Sequence, residues 1–320
     1  MTGVHLDFER PLVELEKKIE ELKQSADAAD VNVHREVAAL EKRADEMRHQ
    51  IFSRLTRYQR VQLARHPRRP YTLDYVRMMT TGWIELFGDR GFADDKALVG
   101  GFAWIDGRPL LVIGNQKGRD TKENLVRRFG MANPEGYRKA LRLMELANRF
   151  GVPILTLVDT AGAYPGIGAE ERGQAEAIAK NLREMATLTV PMVTVVTGEG
   201  GSGGALAIAM GDVVIMLENS IYSVISPEGC ASILWRDRTR NVQAADALRV
   251  AAEDLLKLGV VDEVLPEPMG GAHRDAEATA ATVREAVSRH LDRLSAMEPG
   301  EILARRRAKY RGLGVYTGGS

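Results

Sequence analysis

Thr197-Gly198-Glu199-Gly200-Gly201-Ser202-Gly203-Gly204-Ala205 follows directly on the apolar run Val190-Pro191-Met192-Val193-Thr194-Val195-Val196 and holds five glycines within seven residues. The apolar run predicts a buried strand, and Ala205-Leu206-Ala207-Ile208-Ala209-Met210 predicts a short helix of small residues beyond the glycines. Glycine permits positive φ and close backbone approach. A helix N-terminus presents unpaired N–H groups and partial positive charge. Together these features predict a socket for a negatively charged oxygen, belonging to a phosphate, a carboxylate or a reaction intermediate.

The same phrase occurs one unit earlier. A helix over about 134–150, opened by Asn133 as N-cap and Pro134 at its first position and closed by Gly151, leads into the apolar strand Val152–Val158. The loop Asp159-Thr160-Ala161-Gly162-Ala163-Tyr164-Pro165-Gly166 and a helix over about 169–187 follow, and a further strand covers Val213–Leu217. Repeated strand–helix–strand units form a parallel sheet with right-handed crossovers and bind ligands at the carboxyl ends of strands. Both glycine loops are therefore expected on one side of an α/β protein. Upstream, Val99–Ile105 and Pro109–Gly114 bracket Asp106-Gly107-Arg108 as a hairpin. Residues 275–310 return to helix, and the tail from Gly312 to Ser320 reads as frayed.

Residues 1–70 read as a separate region, and 71–320 as the main domain. Leu12, Leu15, Ile19 and Leu22, then Val33, Val37, Leu40, Ala44, Met47, Ile51 and Leu55, recur in steps of three and four on either side of the tract Ser25–Asp30. This pattern predicts an antiparallel helical hairpin. A clamp on the chain's own core and an oligomer or partner contact both fit it. The basic run Arg54, Arg57, Arg60, Arg65, Arg68 and Arg69 reads as a solvated face or a receiver for an anionic group, and His66-Pro67-Arg68-Arg69-Pro70 as a stiff linker.

Composition excludes several classes of function. Lys+Arg and Asp+Glu are both 44 among 320 residues, so net charge recruits neither nucleic acid nor an anionic membrane. The single cysteine, Cys230, forms no internal disulfide and fits a reducing, cytoplasmic setting; after Ser226 as N-cap and Pro227 it reads as a small buried residue. No apolar run approaches the ~20 residues of a membrane helix. The six histidines are scattered, mostly as surface residues, and offer no metal site; His273 stands apart as a candidate for a site or interface.

Gly198-x-Gly200-x-x-Gly203 has dinucleotide-binding spacing, but the helix after it is too short for that crossover. Asp159-Thr160-Ala161-Gly162 matches a nucleotide-hydrolase tetrapeptide without the phosphate loop such enzymes need. Ser202 lacks the spacing and partners of a nucleophile. A socket of adjacent backbone N–H groups with no nucleophile, metal or side-chain base suits stabilisation of an enolate or ureido oxyanion in acyl-CoA or carboxyl transfer.

Six phrases carry a resemblance at this point. They are Gln116–Glu123, Phe129–Ala140, Asp159–Gln174, Gly198–Leu206, Ser226–Trp235 and Glu267–Asp275, in order along the chain. The sequence resembles the alpha subunits of the bacterial acetyl-coenzyme A carboxylase carboxyltransferase, departing from them at Ala161, where they usually carry proline. The resemblance implies a crotonase-like spiral of ββα units preceded by the helical hairpin. It also implies an α2β2 assembly with a beta subunit that bears a zinc ribbon and mainly holds acetyl-CoA. The alpha side would receive carboxybiotin on the biotin carboxyl carrier protein, itself charged by biotin carboxylase. The product would be malonyl-CoA, at the first committed step of fatty acid biosynthesis; a different acceptor such as propionyl-CoA, or a decarboxylase component, stays open.

Within that frame the N–H groups of Gly203 and Gly204 are the expected catalytic groups, stabilising the biotin ureido oxygen as the carboxyl group leaves its nitrogen. Gly200, Gly201, Ser202, Ala163, Tyr164, Pro165 and Gly166 are expected to bind substrate, and Asp159 to Gly168 to form the opposite wall. Lys117 and Arg119 are candidates for anchoring an anionic group, or ordinary surface charge. No metal is expected in this chain. Gly204→Val is expected to abolish transfer while leaving the fold largely intact.

Overall fold

A computed structural model describes residues 5–25 and 31–314. The tract at 26–30 and the tail at 315–320 lie outside the described residues. Eight strands form one sheet: β1 (Thr81–Glu85), β2 (Leu98–Ile105), β3 (Arg108–Asn115), β4 (Ile154–Thr160), β5 (Met192–Gly201), β6 (Val213–Leu217), β7 (Ile221–Ser223) and β8 (Glu263–Leu265). The order is β1-β2-β3-β4-β5-β6-β8, with β7 paired to β5 off this path. The first three strands are antiparallel and the others parallel. Asp106 and Gly107 both have positive φ, at 49° and 77°, the geometry of a tight hairpin turn, so the 98–115 hairpin forms where the sequence places it.

The central strands are buried on both faces, and their side chains alternate between two cores. Ile154, Val158, Met192, Val196, Val214 and Met216 face the helices Pro134–Arg149 and Gln174–Met185. Leu155, Leu157, Val193, Val195, Val213 and Ile215 face Thr72–Met79 and Ala276–Ser295. This period of two on an all-apolar run is what a parallel sheet covered on both sides requires.

Several boundaries differ from the sequence reading, each for a local reason. β4 runs on through Asp159 and Thr160 because both polar side chains find partners inside: Lys117 for Asp159 and the Gly162 carbonyl for Thr160. The helix expected over 169–187 is two, Ile167–Glu171 and Gln174–Met185, broken by Gly173 at φ 83°. Asn133 sits at the N-cap of Pro134–Arg149, but its side chain donates to Asp95 and does not cap the helix. Ser226 does cap its helix, accepting from the Gly229 N–H at 3.1 Å, and Cys230 is buried behind it.

The N-terminal helices Arg10–Ser25 and Val31–Phe52 form the expected hairpin. Their apolar positions gather in one cluster around Leu12, Ile19, Val37, Ala44 and Phe52. The basic run is not a solvated face. Arg57 forks onto Asp254 at 2.7 and 2.8 Å, and Arg60 bonds the Glu218 carbonyl and Asn219. Arg65 bridges Glu199 and Glu228, and Arg69 is buried on Glu267; only Arg54 and Arg68 of the six are exposed. The helix Arg57–Ala64 and the 66–70 segment thereby bind the hairpin to the ends of β5 and β6.

Candidate active site

The glycine stretch is partly strand. β5 extends to Gly201, pairing Gly200 with Thr160 on one side and Glu199, Gly200 and Gly201 with Ile221, Tyr222 and Ser223 on the other. The helix begins at Ser202 and ends at Leu206, four residues short of the expected end. Glycine allows this extension, because a Cβ on Gly200 would stand 2.8 Å from the Tyr222 ring and one on Gly201 2.1 Å from the Ala161 carbonyl oxygen. The strand-to-helix turn falls on Ser202, a non-glycine residue held at φ 52°. Strain of this kind concentrates at functional turns.

Both loops open on one side and touch. A Cβ on Gly204 would lie 2.3 Å from the Gly162 carbonyl carbon and 2.4 Å from the Ala163 nitrogen. Gly204 is thus a packing glycine, set against backbone that has no rotamer to yield. A valine there would push the two loops apart, so Gly204→Val, expected to leave the fold largely intact, disturbs the packing of these two loops as well as the socket. Gly203, half-buried, faces only the Ile178 side chain, at 3.3 Å. The N–H groups of the helix's first turn, those of Gly203 and Gly204 among them, have no intrahelical acceptor.

Ala163, Tyr164, Pro165 and Gly166 form the facing wall. The Tyr164 N–H donates to the Ala132 carbonyl at 3.0 Å, and the Gln174 amide donates to the carbonyls of Tyr164 and Ala132. The Arg128 guanidinium covers the Tyr164 ring at 4.4 Å, in a segment where Arg128, Phe129 and Gly130 all have positive φ. Gly166 leaves room for that ring, since a Cβ there would meet it at 2.4 Å.

Lys117 and Arg119 part company. Lys117 is partly buried, its Nζ 2.5 Å from Asp159 Oδ1. Burial opposes its charge, but Asp159 and Glu199 outweigh burial and hold its pKa above the ordinary lysine value. Arg119 points the other way, stacked on Tyr71 at 4.0 Å and bonded to the carbonyls of Pro67 and Arg69 and to Asp74. Lys117 is not ordinary surface charge, Arg119 is an exposed surface residue, and both are occupied by protein partners.

On its other flank the short helix lines an apolar cavity of about 370 Å³ bounded by Ser202, Leu206, Tyr222, Val224, Leu248 and Tyr310. Burial pushes the Tyr222 phenol up to about 12, so it stays neutral. Tyr310 reaches in from the helix Pro299–Arg311, its hydroxyl donating to the Gly211 carbonyl at 2.9 Å. Sequence reasoning missed this cavity, because a tyrosine in a charged helix about a hundred residues downstream carries no local sign of its destination.

His273 sits with His66 away from this cleft, ring on ring at 3.8 Å; His66 and His290 are buried, against the expectation of surface histidines. Among the described residues, no group of three or more His, Cys, Asp or Glu side chains could hold a metal ion, and no helix is long and apolar enough to cross a membrane.

Comparison with known proteins places this geometry. Residues 5–314 match the family described as acetyl co-enzyme A carboxylase carboxyltransferase-like. The acetyl-coenzyme A carboxylase carboxyl transferase subunit alpha of Geobacter metallireducens is 62% identical over 308 residues, 96% of each chain. That of Halorhodospira halophila is 57% identical over 318 residues, covering 99% of this chain and all of its own. Among solved structures, transcarboxylase 12S with hydrolysed methylmalonyl-coenzyme A aligns at TM-score 0.59 and 22% identity over 72% of this chain, which spans 41% of the transcarboxylase chain. A Pseudomonas malonate decarboxylase hetero-tetramer in complex with coenzyme A aligns at TM-score 0.54 and 20% identity, over 67% of this chain and 88% of its own. The fold is that of the crotonase-like carboxyltransferases, and the chain belongs to the acetyl-coenzyme A carboxylase carboxyltransferase family.

Proposed function

We propose that this chain is the alpha half of a carboxyltransferase that moves a carboxyl group from carboxybiotin to acetyl-CoA, forming malonyl-CoA, with its site completed by a beta subunit in an α2β2 assembly. Carboxybiotin arrives on the biotin carboxyl carrier protein after loading by biotin carboxylase. The single cysteine fits work in the reducing cytoplasm. Residues 1–70 serve as clamp and assembly region, ahead of the crotonase-like domain over 71–320.

The observation that carries the reading is the meeting of two glycine loops at the carboxyl ends of β4 and β5, in a chain of this family. The Gly203 and Gly204 N–H groups receive the charge that develops on the ureido oxygen as the carboxyl group leaves its nitrogen. That nitrogen then takes the α-proton of acetyl-CoA, and the resulting enolate carbon bonds to the released carboxyl carbon. Gly200, Gly201 and Ser202 shape this side, and Ala163, Tyr164, Pro165 and Gly166 the other. The neighbouring apolar cavity suits the sulfur-containing ring system of biotin, which has little to hydrogen-bond beyond its ureido group. Lys117 and Arg119, tied to Asp159 and to the 67–74 segment, hold the walls in place and leave the anionic substrate to other groups.

Acceptor choice is tested in the assembled α2β2 enzyme by running the reaction backwards, from malonyl-CoA or methylmalonyl-CoA to a free biotin derivative. Malonyl-CoA is expected to be the better donor by at least about tenfold, the order of discrimination that one methylene supports. Equal or inverted rates would move the assignment to the propionyl-CoA alternative.

A further inference from the structure

Opposite the single residue Asp159 of β4, between the pairs Val158↔Val196 and Thr160↔Gly200, β5 carries three residues, Thr197, Gly198 and Glu199. Before this bulge β5 pairs with β6, ending at Val196↔Met216; from the last bulge residue on, β5 pairs with β7, starting at Glu199↔Ile221. The bulge is where the strand changes neighbour and turns its glycines toward the 161–163 loop. Extra residues in a buried strand leave peptide groups outside the ladder.

Charged side chains catch two of these groups. The Thr197 carbonyl accepts from Arg69 Nε at 3.1 Å and Nη2 at 2.8 Å. Arg69 is only 1% exposed and is held by both oxygens of Glu267, at 2.7 and 2.9 Å. Glu267 is fixed in turn by Asn219 and the Ala272 N–H. The Glu199 N–H donates to Asp159 Oδ1 at 2.9 Å, the same oxygen that accepts from Lys117. A Cβ on Gly198 would stand 2.5 Å from that oxygen, so the Asp159 carboxylate fills the room the bulge opens.

Buried ion pairs add little net stability, and well-packed apolar residues often replace them without loss. Their recognised use is to specify one arrangement over its competitors. Two such pairs meet at one bulge, four to seven residues before the expected catalytic amides. We propose that Arg69 and Asp159, backed by Glu267 and Lys117, are positioning residues of the carboxyl-transfer site: they lock the β5 bulge that aims the Gly203 and Gly204 N–H groups. This proposal rests on the glycine-socket reading above.

The test uses the assembled α2β2 enzyme with Asp159→Asn, which keeps an acceptor for the Glu199 N–H but removes the charge that holds Lys117. Hydrogen exchange of peptides covering 197–206 is measured beside kcat and the KM for malonyl-CoA. Exchange in that stretch is expected to speed up about tenfold while β2 and β3 keep their protection. The kcat is expected to fall about tenfold to a hundredfold, as for a misplaced catalytic group, with KM within about twofold. Lys117→Arg is expected to keep most of the turnover that Lys117→Met loses. Unchanged exchange at 197–206 in the assembled variant would overturn the proposal, as would protection lost evenly across the chain with kcat per tetramer intact. Faster local exchange with wild-type kcat would leave the bulge lock standing and sink the socket reading instead. Should Asp159→Asn fail to assemble, Arg69→Lys, which keeps the charge but loses the forked grip, is measured in the same way.

Discussion

A single β-carbon separates Gly203 from Gly204 in what each position tolerates. At Gly203 the added methyl meets the end of the Ile178 side chain at 3.3 Å, and that side chain has a rotamer to give. At Gly204 it meets the backbone of Gly162 and Ala163 at 2.3–2.4 Å, and nothing there gives. Gly203→Ala is accordingly expected to melt within about 1 kcal/mol of wild type and to keep turnover within about threefold, since its N–H survives. Gly204→Ala is expected to lose about 1–3 kcal/mol to overpacking and, with the loops parted, about a hundredfold in kcat. Thermal melts and turnover of the two assembled variants check both; equal behaviour would contradict the back-to-back packing. The glycine stretch announced a site in the sequence, but not which glycine faces a ligand and which faces a loop. Close approach of backbone to either partner demands the same residue.

Among the elements, the two strands that lead into the glycine loops and the ends of the helices at Gly151 and Ser226 were legible, because apolar runs, a cap and a terminating glycine act through neighbours a few residues away. The basic run was not. Arg57, Arg65 and Arg69 find Asp254, Glu199 and Glu267 at separations of 134–198 residues, and local pattern cannot see across such distances. The same blindness hid the pairing of His66 with His273. The 270–274 loop, whose Gly270 and Gly271 have φ of 99° and 103°, lays His273 on His66. Burial, aided by His66 and the nearby Arg274, Arg69 and Arg68, pulls the His273 pKa down to about 3. The folded value lies below the ordinary one, so the folded state keeps a neutral ring that the unfolded chain would protonate. The stability this provides is complete above about pH 6.5 and is lost as pH falls from there toward 3. Between pH 7 and 5 the loss is about 2 kcal/mol. Denaturant midpoints at the two pH values are expected to show this drop in the wild type and a flatter profile in His273→Asn; parallel slopes would place the pH sensitivity elsewhere.

For the molecule as a whole, repeated strand–helix units identified an α/β protein with both glycine loops on one side, and the sheet is built that way. The eight-strand order, the departure of β7 from its path and the closing of the cavity by Tyr310 depend on contacts spread over the entire chain. Leu206 and Val224, 43% and 72% exposed, leave that cavity open to solvent on one side. In the proposed assembly a beta subunit covers this open face. On the proposed function, this chain is inactive alone and active in a site shared with the beta subunit. The most direct measurement is malonyl-CoA-dependent carboxylation of a biotin derivative by the purified chain, by a cognate beta subunit, and by the two combined. Turnover is expected in the mixture only, with formation of an α2β2 complex. Turnover by this chain alone, or none from a confirmed α2β2 complex, would contradict it.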